Sequence, residues 1–356
     1  MRVGIPEYRL PNDVLDSEIE EIKQAGFEIK PSTRIESLDD LFAQGYHAVF
    51  LAIGAHQGTR MGIDGEDSSG ILEAITFLRE VSLGQQVTLG SKVAVIGGGN
   101  VAIDASRTAL RLNVKDVTII YRRTRSEMPA SSEEIEGALE EGVKFIFLAA
   151  PNKVWNENGR ASLECGRMEL GEPDTSGRRR PVPIKDSEFT TDYDTVIAAI
   201  GQTPEVPKSY QVATGRGNVL QIDDDCSTNR EGVFAGGDAV TGPASVIKAI
   251  AAGRKGAIAI DKYLGGSGVI AEELAQLEEP KACIGREEGF AHLHRHESPC
   301  LPAEERLNSF DEIEDSYGEE TATKEALRCL QCDLRMKISP VKFPPKKSSV
   351  KGAQTS

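Results

Sequence analysis

The chain has 356 residues, 39% of them hydrophobic, with 56 acidic against 41 basic side chains and a formal net charge of −15. That length predicts about two domains with real cores, and the acidity argues against nucleic acid or an anionic membrane surface as the main partner, because like-charged phosphate would be repelled. No apolar run approaches the roughly 18 residues of a membrane span, the N-terminus lacks a secretory apolar stretch, and six cysteines, only two of them closely spaced, fit a reducing compartment, so a cytoplasmic protein is expected.

In chain order, hydrophobic periodicity predicts a charged helix over residues 13–25 and short strands at 27–29 and 48–53, the second ending at Gly54. From about Val87 a complete nucleotide-binding domain is predicted: strand 93–96, helix 100–112, strand 116–121, helix 132–141, strand 143–148, a two-strand excursion near Val154 and 162–169, and a closing strand within 194–201. Strands separated by helix-length patterns imply a parallel sheet with ligands at the carboxyl ends of its strands. Beyond Gly201 the chain returns to the first layer, with a strand and turn over 232–238 and an alanine-rich helix over 245–264. The expected boundaries are therefore 1–86, 87–201 and 202–265, followed by an irregular acidic tail over 266–336 and a basic tail over 337–356 whose composition predicts disorder. Arg178, Arg179 and Arg180 are expected in a solvated turn.

Residues 93–104 read VAVIGGGNVAID, an apolar strand entering a glycine turn and then a helix. Gly97 suits the tight turn, Gly99 lets backbone approach a pyrophosphate, and Ala102 keeps helix and strand close, while the helix N-terminus offers unpaired N–H donors. The next strand ends in Arg122-Arg123-Thr124-Arg125, with Arg122 lying 25 residues beyond Gly97, near the position of a ribose reader. An NAD site favours an acidic residue there; guanidiniums suit the 2′-phosphate of NADP(H). Gly236-Gly237-Asp238, followed by a helix, places a carboxylate and a helix N-terminus at another strand end. Read alone, Asp238 is either a turn residue capping a helix or a polyol acceptor; beside a dinucleotide site the flavin reading is favoured.

The order of these pieces resembles the small (beta) subunit of glutamate synthase and its electron-transfer relatives, flavoproteins of the pyridine nucleotide-disulfide oxidoreductase superfamily. The resemblance rests on GIPEYRLP at 4–11, LAIGA at 51–55, the glycine turn at 93–104, YRR at 121–123 with MPA at 128–130, AIGQ at 199–202 and the segment 236–253, together covering roughly residues 1–265. It implies an α/β fold of two interleaved dinucleotide-binding, Rossmann-like domains of the glutathione-reductase type. By the same resemblance Gly97, Gly98, Gly99, Asn100 and Val101 with Arg122, Arg123 and Gly201 would hold NADP(H), and Ile53, Gly54, Gly237, Asp238, Ser245 and Val246 would contact FAD. Family members carry an iron–sulfur domain and a first FAD glycine loop upstream of the GIPEYRLP segment. This chain opens inside the flavin domain, which is therefore expected to be incomplete at its N-terminus, through a misplaced start, a split gene or truncation.

Cys329 and Cys332 form a CxxC pair, a spacing that suits iron–sulfur or zinc ligation and equally a dithiol switch. In the resembling family such pairs accompany iron–sulfur regions, so two readings stand: ligands of a 4Fe-4S cluster completed by a missing or partner segment, or inert thiols. His292, His294 and His296 are read as a polar stretch rather than a metal site. The expected activity is hydride transfer from NADPH to FAD and onward delivery of electrons to iron–sulfur clusters, a ferredoxin-like module or a large partner subunit, with no side-chain acid or base required. The alternatives are a non-catalytic NADP-binding remnant or half of a split enzyme, and a flavin-dependent disulfide reductase.

Overall fold

The computed structural model describes residues 1–157, 159–174, 177–270, 285 and 288–330. The chain runs through α1 (Asn12–Gln24), α2 (Leu38–Ala43), β1 (Val49–Leu51), β2 (Gln57–Gly58), β3 (Ile71–Glu73), α3 (Ala74–Ser82), β4 (Lys92–Ile96), α4 (Asn100–Arg111), β5 (Asp116–Tyr121) and α5 (Ser132–Glu140). It continues through β6 (Lys144–Phe147), β7 (Ala149–Glu157), β8 (Arg160–Pro173), β9 (Arg179–Pro183), β10 (Phe189–Tyr193), β11 (Thr195–Ala198), β12 (Gln202–Thr203), β13 (Val233–Ala235), α6 (Asp238–Thr241) and α7 (Val246–Tyr263). Two short helices follow, α8 (Ala303–Arg306) and α9 (Glu319–Ala326).

Five strands form one parallel sheet in the order β3-β11-β4-β5-β6. Its strands alternate, so β4 sends Val93 and Val95 into one core and Ala94 and Ile96 into another. The first core is closed by α3, α4 and α5 through Phe77, Leu78, Ile103, Ile135 and Ala138. The second is closed by an antiparallel sheet, with Val154 of β7, Leu163 and Cys165 of β8 and Tyr193 of β10 against it. The predicted two-strand excursion is thus a four-stranded sheet: β8 is long enough to pair β10 and β7 along its first half and β9 along its second.

A separate two-stranded sheet, β1 parallel to β13, carries a third core with Leu38, Leu51, Tyr210, Leu220 and Val233. Residues 27–29, predicted as a strand, have no regular structure, and Phe27 and Ile29 are 47% and 46% exposed. Alternation supplies the pattern of a strand, but a strand forms only where a neighbouring edge accepts its hydrogen bonds, and among the described residues none does. Arg179 and Arg180 open β9 rather than lying in a turn.

Residues 1–270 and 301–313 form one compact unit. The second unit comprises 271–300 and 314–356, of which the described part contains α9. There the His296 ring and backbone N–H meet the Glu325 carboxylate, Arg328 pairs with Glu325, and the Tyr317 hydroxyl donates to the His296 carbonyl. Residues 337–356, with Cys332, lie outside the described residues. Among the described residues no helix is long and apolar enough to cross a membrane.

Candidate functional site

The carboxyl ends of β11, β4 and β5 lie side by side, and on either side of β4 the sheet order reverses direction along the chain, the place where α/β sheets open a crevice for ligands. Each end carries a segment singled out in the sequence: residues 199–201 follow β11, the glycine turn follows β4 and Arg122 follows β5.

The glycines are required by packing. Gly97 has φ +144°, and a Cβ there would lie 2.2 Å from the Ala199 carbonyl oxygen. A Cβ on Gly98 would meet the Tyr121 ring at 2.6 Å. Backbone bonds hold the turn in place, from Gly97 N–H to the Ile120 carbonyl (3.1 Å), from Ala199 N–H to Ile96 (2.8 Å) and from Ala130 N–H to Gly98 (3.3 Å). Gly99 is the N-cap of α4 and carries no side-chain cap. The N–H groups of Gly98, Gly99, Asn100 and Val101 therefore find no acceptor among the described residues, an arrangement at the start of a 12-residue helix that is chemically suited to an anion. Ala102, fully buried, lets α4 sit close against β4.

The three arginines beyond β5 diverge. Arg122 is exposed and has no hydrogen-bond or ion-pair partner among the described residues. Arg123 is buried, with Nη2 2.6 Å from Asp174 and Nε donating to the Arg179 carbonyl at 2.7 Å. Arg125 pairs with Glu136 at the surface. The turn between them is fixed by the Tyr121 hydroxyl donating to the Glu127 carbonyl (2.8 Å) and by a capping box between Thr124 and Glu127.

On the other layer, β13 ends beside β1, and Gly236 N–H bonds the Leu51 carbonyl at 3.2 Å. Ile53 and Gly54 thus sit at one strand end, and Gly237 and Asp238 at its neighbour. Gly54 and Gly237 have φ +70° and +67°. An Asp238 carboxylate oxygen accepts from Ala244 N–H at 3.1 Å, so the residue does shape the turn, with the rest of the carboxylate part-exposed. Ser245 caps α7 by accepting from Lys248 N–H, and beyond it Val246, Ile247 and Ile250 are 40%, 79% and 66% exposed. The antiparallel pair β2–β12, with Thr59 N–H on the Gly201 carbonyl (2.9 Å), joins the ends of the two layers.

Sequence reasoning missed the charge network behind α4. Arg9 lies 2.8 Å from Asp104 and also pairs with Glu134. Glu141, buried, accepts from Arg107 and Arg111, and the Arg111 guanidinium lies 4.0 Å from the centre of the Tyr8 ring. Burial, together with the nearby Glu134 charge, outweighs Arg9 and pushes the Asp104 carboxyl up to about 6, whereas the two arginines hold Glu141 below the usual glutamate range in spite of its burial. Arg9 and Asp104 stand 95 positions apart, and no local pattern signals their pairing. A cavity of about 170 Å³ lined by Arg2, Glu7, Asn12, Leu78 and Thr108 lies outside the strand-end crevice.

Burial pushes the Cys165 thiol up to about 12 and raises that of Cys226, so neither is a poised nucleophile. Cys329 is exposed and Cys332 lies outside the described residues. Among the described residues no three His, Cys, Asp or Glu side chains group as metal ligands, so those residues do not complete an iron–sulfur or zinc site.

Comparison with known proteins shows the family and the fold. The model of the pyridine nucleotide-disulphide oxidoreductase family matches residues 13–253. The chain is 40% identical over 346 residues to the beta subunit of the NADP(+)-dependent formate dehydrogenase of Moorella thermoacetica, covering 93% of this chain and 49% of that protein. It is 37% identical over 383 residues to the beta subunit of the NADPH-Fe(3+) oxidoreductase of Geobacter sulfurreducens (93% and 55%), and 36% identical over 284 residues to the glutamate synthase [NADPH] small chain of Escherichia coli (73% and 60%). The chain therefore spans about half the length of the first two relatives. Among solved structures, FprA of Mycobacterium tuberculosis in complex with NADPH is similar in fold, with TM-score 0.61 at 17% identity over 74% of each chain. The thioredoxin reductase of T. acidophilum follows at TM-score 0.53 and 18% identity, over 73% of this chain and 85% of that one.

Proposed function

The chain belongs to the pyridine nucleotide-disulphide oxidoreductase family, and from that premise we propose that it is an NADPH-oxidising, FAD-binding subunit that delivers electrons to a partner subunit. The observation that carries this reading is the glycine turn after β4: four backbone N–H groups without acceptors at the start of α4, beside an exposed arginine at the end of the adjacent strand. The residues present fit a dinucleotide: Gly97 and Gly98 give the tight turn that Ala199 and Tyr121 leave room for, and that turn leaves four N–H groups at the start of α4 without acceptors. The N–H groups of Gly98 to Val101 hold the pyrophosphate, Arg122 takes the 2′-phosphate, and Gly201, with no side chain, keeps the crevice mouth clear.

On the flavin side the residues present supply one wall. Ile53 and Gly54 flank the site, Asp238 accepts from a polyol hydroxyl, and the start of α7 at Ser245 and Val246 favours negative charge on the ring. FAD held by these residues would supply the hydride and one-electron chemistry that the side chains lack. The chain's own part is to bind, orient and neutralise charge. Relatives named as beta subunits or small chains support a partner subunit, and an iron–sulfur module on that partner in a cytoplasmic complex completes the proposal.

The exposed apolar start of α7 favours a second reading, in which this chain binds NADPH alone and needs a further segment or chain to hold flavin. A visible absorbance spectrum of the purified chain, taken before and after added FAD and after anaerobic NADPH, separates the two. Flavin bands that bleach with NADPH support the first reading; a colourless chain that binds NADPH supports the second. Failure to bind NADPH at all overturns both.

A further inference from the structure

Of the three guanidiniums that follow β5, Arg123 is the one withdrawn from solvent, and its side-chain partners lie on the hairpin of β8 and β9. Arg123 spends two donors there, one on the Asp174 carboxylate and one on the Arg179 carbonyl. The hairpin is fixed on its own account. Asp174 N–H donates to the Arg178 carbonyl at 2.8 Å and Gly177 N–H to the Asp174 carbonyl at 2.9 Å, while the Arg179 guanidinium donates to the Leu170 and Gly171 carbonyls at 2.6 and 3.2 Å. At its backbone Arg123 accepts from Leu148 N–H at 3.1 Å, so main chain and side chain are both tethered.

We infer that Asp174, acting through Arg123, is a positioning residue for nucleotide choice: the hairpin pins Arg123 so that its neighbour Arg122 stands out at the strand end, held ready for the 2′-phosphate. This rests on the reading of Arg122 proposed above. Residues 122 and 123 follow β5 directly, Arg123 buried and Arg122 exposed, so the backbone that seats Arg123 also sets where the Arg122 side chain leaves the strand end. A buried guanidinium that loses its carboxylate is an uncompensated charge and leaves its site, taking the turn with it. Fixing the backbone at the strand end leaves only the Arg122 side chain to be ordered when the phosphate arrives, which favours NADPH over NADH.

The test is calorimetric titration of the full chain with NADPH and with NADH, for the wild type, Arg122→Ala, Asp174→Asn and the double variant. Arg122→Ala is expected to weaken NADPH binding by roughly tenfold or more with little change for NADH. Asp174→Asn is expected to weaken NADPH binding about three- to tenfold, again with NADH nearly unchanged, and to add nothing to the preference once Arg122 is gone. Asp174→Glu restores the preference. Arg123→Lys, which keeps the charge but loses the second donor, lowers it and serves if Asp174→Asn does not fold. The inference is overturned if Asp174→Asn weakens both nucleotides equally, leaves the preference intact or strengthens NADPH. An unchanged preference in Arg122→Ala would instead overturn the reading of the 2′-phosphate site, and with it this inference.

Discussion

The turn after β4 and the turn after β13 are written in nearly the same letters, strand then glycines then helix, yet the structure treats them differently. The first lies between two closed cores, with helices on one face of its sheet and an antiparallel sheet on the other. The second lies on a two-stranded sheet, and the helix beyond it carries exposed Val246, Ile247 and Ile250. A strand–glycine–helix signature thus specifies a backbone turn, while the surroundings decide how much the turn tolerates and what it can hold without help.

The contrast is sharpest in two matched substitutions. Gly97→Ala places a Cβ against the Ala199 carbonyl at a backbone angle that L-residues avoid. It is expected to cost about 3 to 5 kcal/mol, combining backbone strain with overpacking, and to abolish NADPH binding. Gly237→Ala also meets a positive φ, +67°, but its nearest new neighbour is Ala249 at 3.9 Å, so backbone strain alone, about 1 to 3 kcal/mol, is expected. Urea unfolding of both variants checks this; equal costs would mean that the two turns are equally enclosed.

The closed side also contains a charge that folding tolerates at a cost. Because the folded Asp104 carboxyl is raised to about 6, its contribution to stability is fully present below the usual aspartate range and is lost as pH rises through 6. Asp104→Asn removes that loss, so its stability relative to wild type should improve by about 2 kcal/mol between pH 4 and pH 7. Denaturation curves at both pH values measure it, and a change of opposite sign would show Arg9 outweighing burial. The smallest effect belongs to the open side: Ile247→Ser, at a position 79% exposed, should alter the stability of the isolated chain by less than about 0.5 kcal/mol. A larger loss would mean that the face of α7 is covered in solution.

The nucleotide half was legible to within a residue or so at β4, α4 and β5, because glycine sterics and apolar alternation act locally. Helices α2 and α3 and strand β3 were not anticipated: each is short, and a three-residue strand carries too few positions to show a period. The strand expected at 27–29 shows the converse, a local pattern with no edge to join. The Tyr8 and Arg9 contacts were visible only as part of a familiar segment, with nothing in their spacing to name Asp104 and Glu134 as partners.

By itself the sequence determined the parallel nucleotide-binding sheet, the glycine turn and the presence of arginines at the neighbouring strand end. These follow from sterics and periodicity within a dozen residues. Only the tertiary structure decided which arginine is available. Arg122, Arg123 and Arg125 are chemically alike, and their roles separate because Arg123 finds a carboxylate 51 residues further along the chain and a backbone carbonyl 56 residues away. Pairing at that range is fixed by how the hairpin folds back over the strand end, and charge spacing along the chain does not encode it.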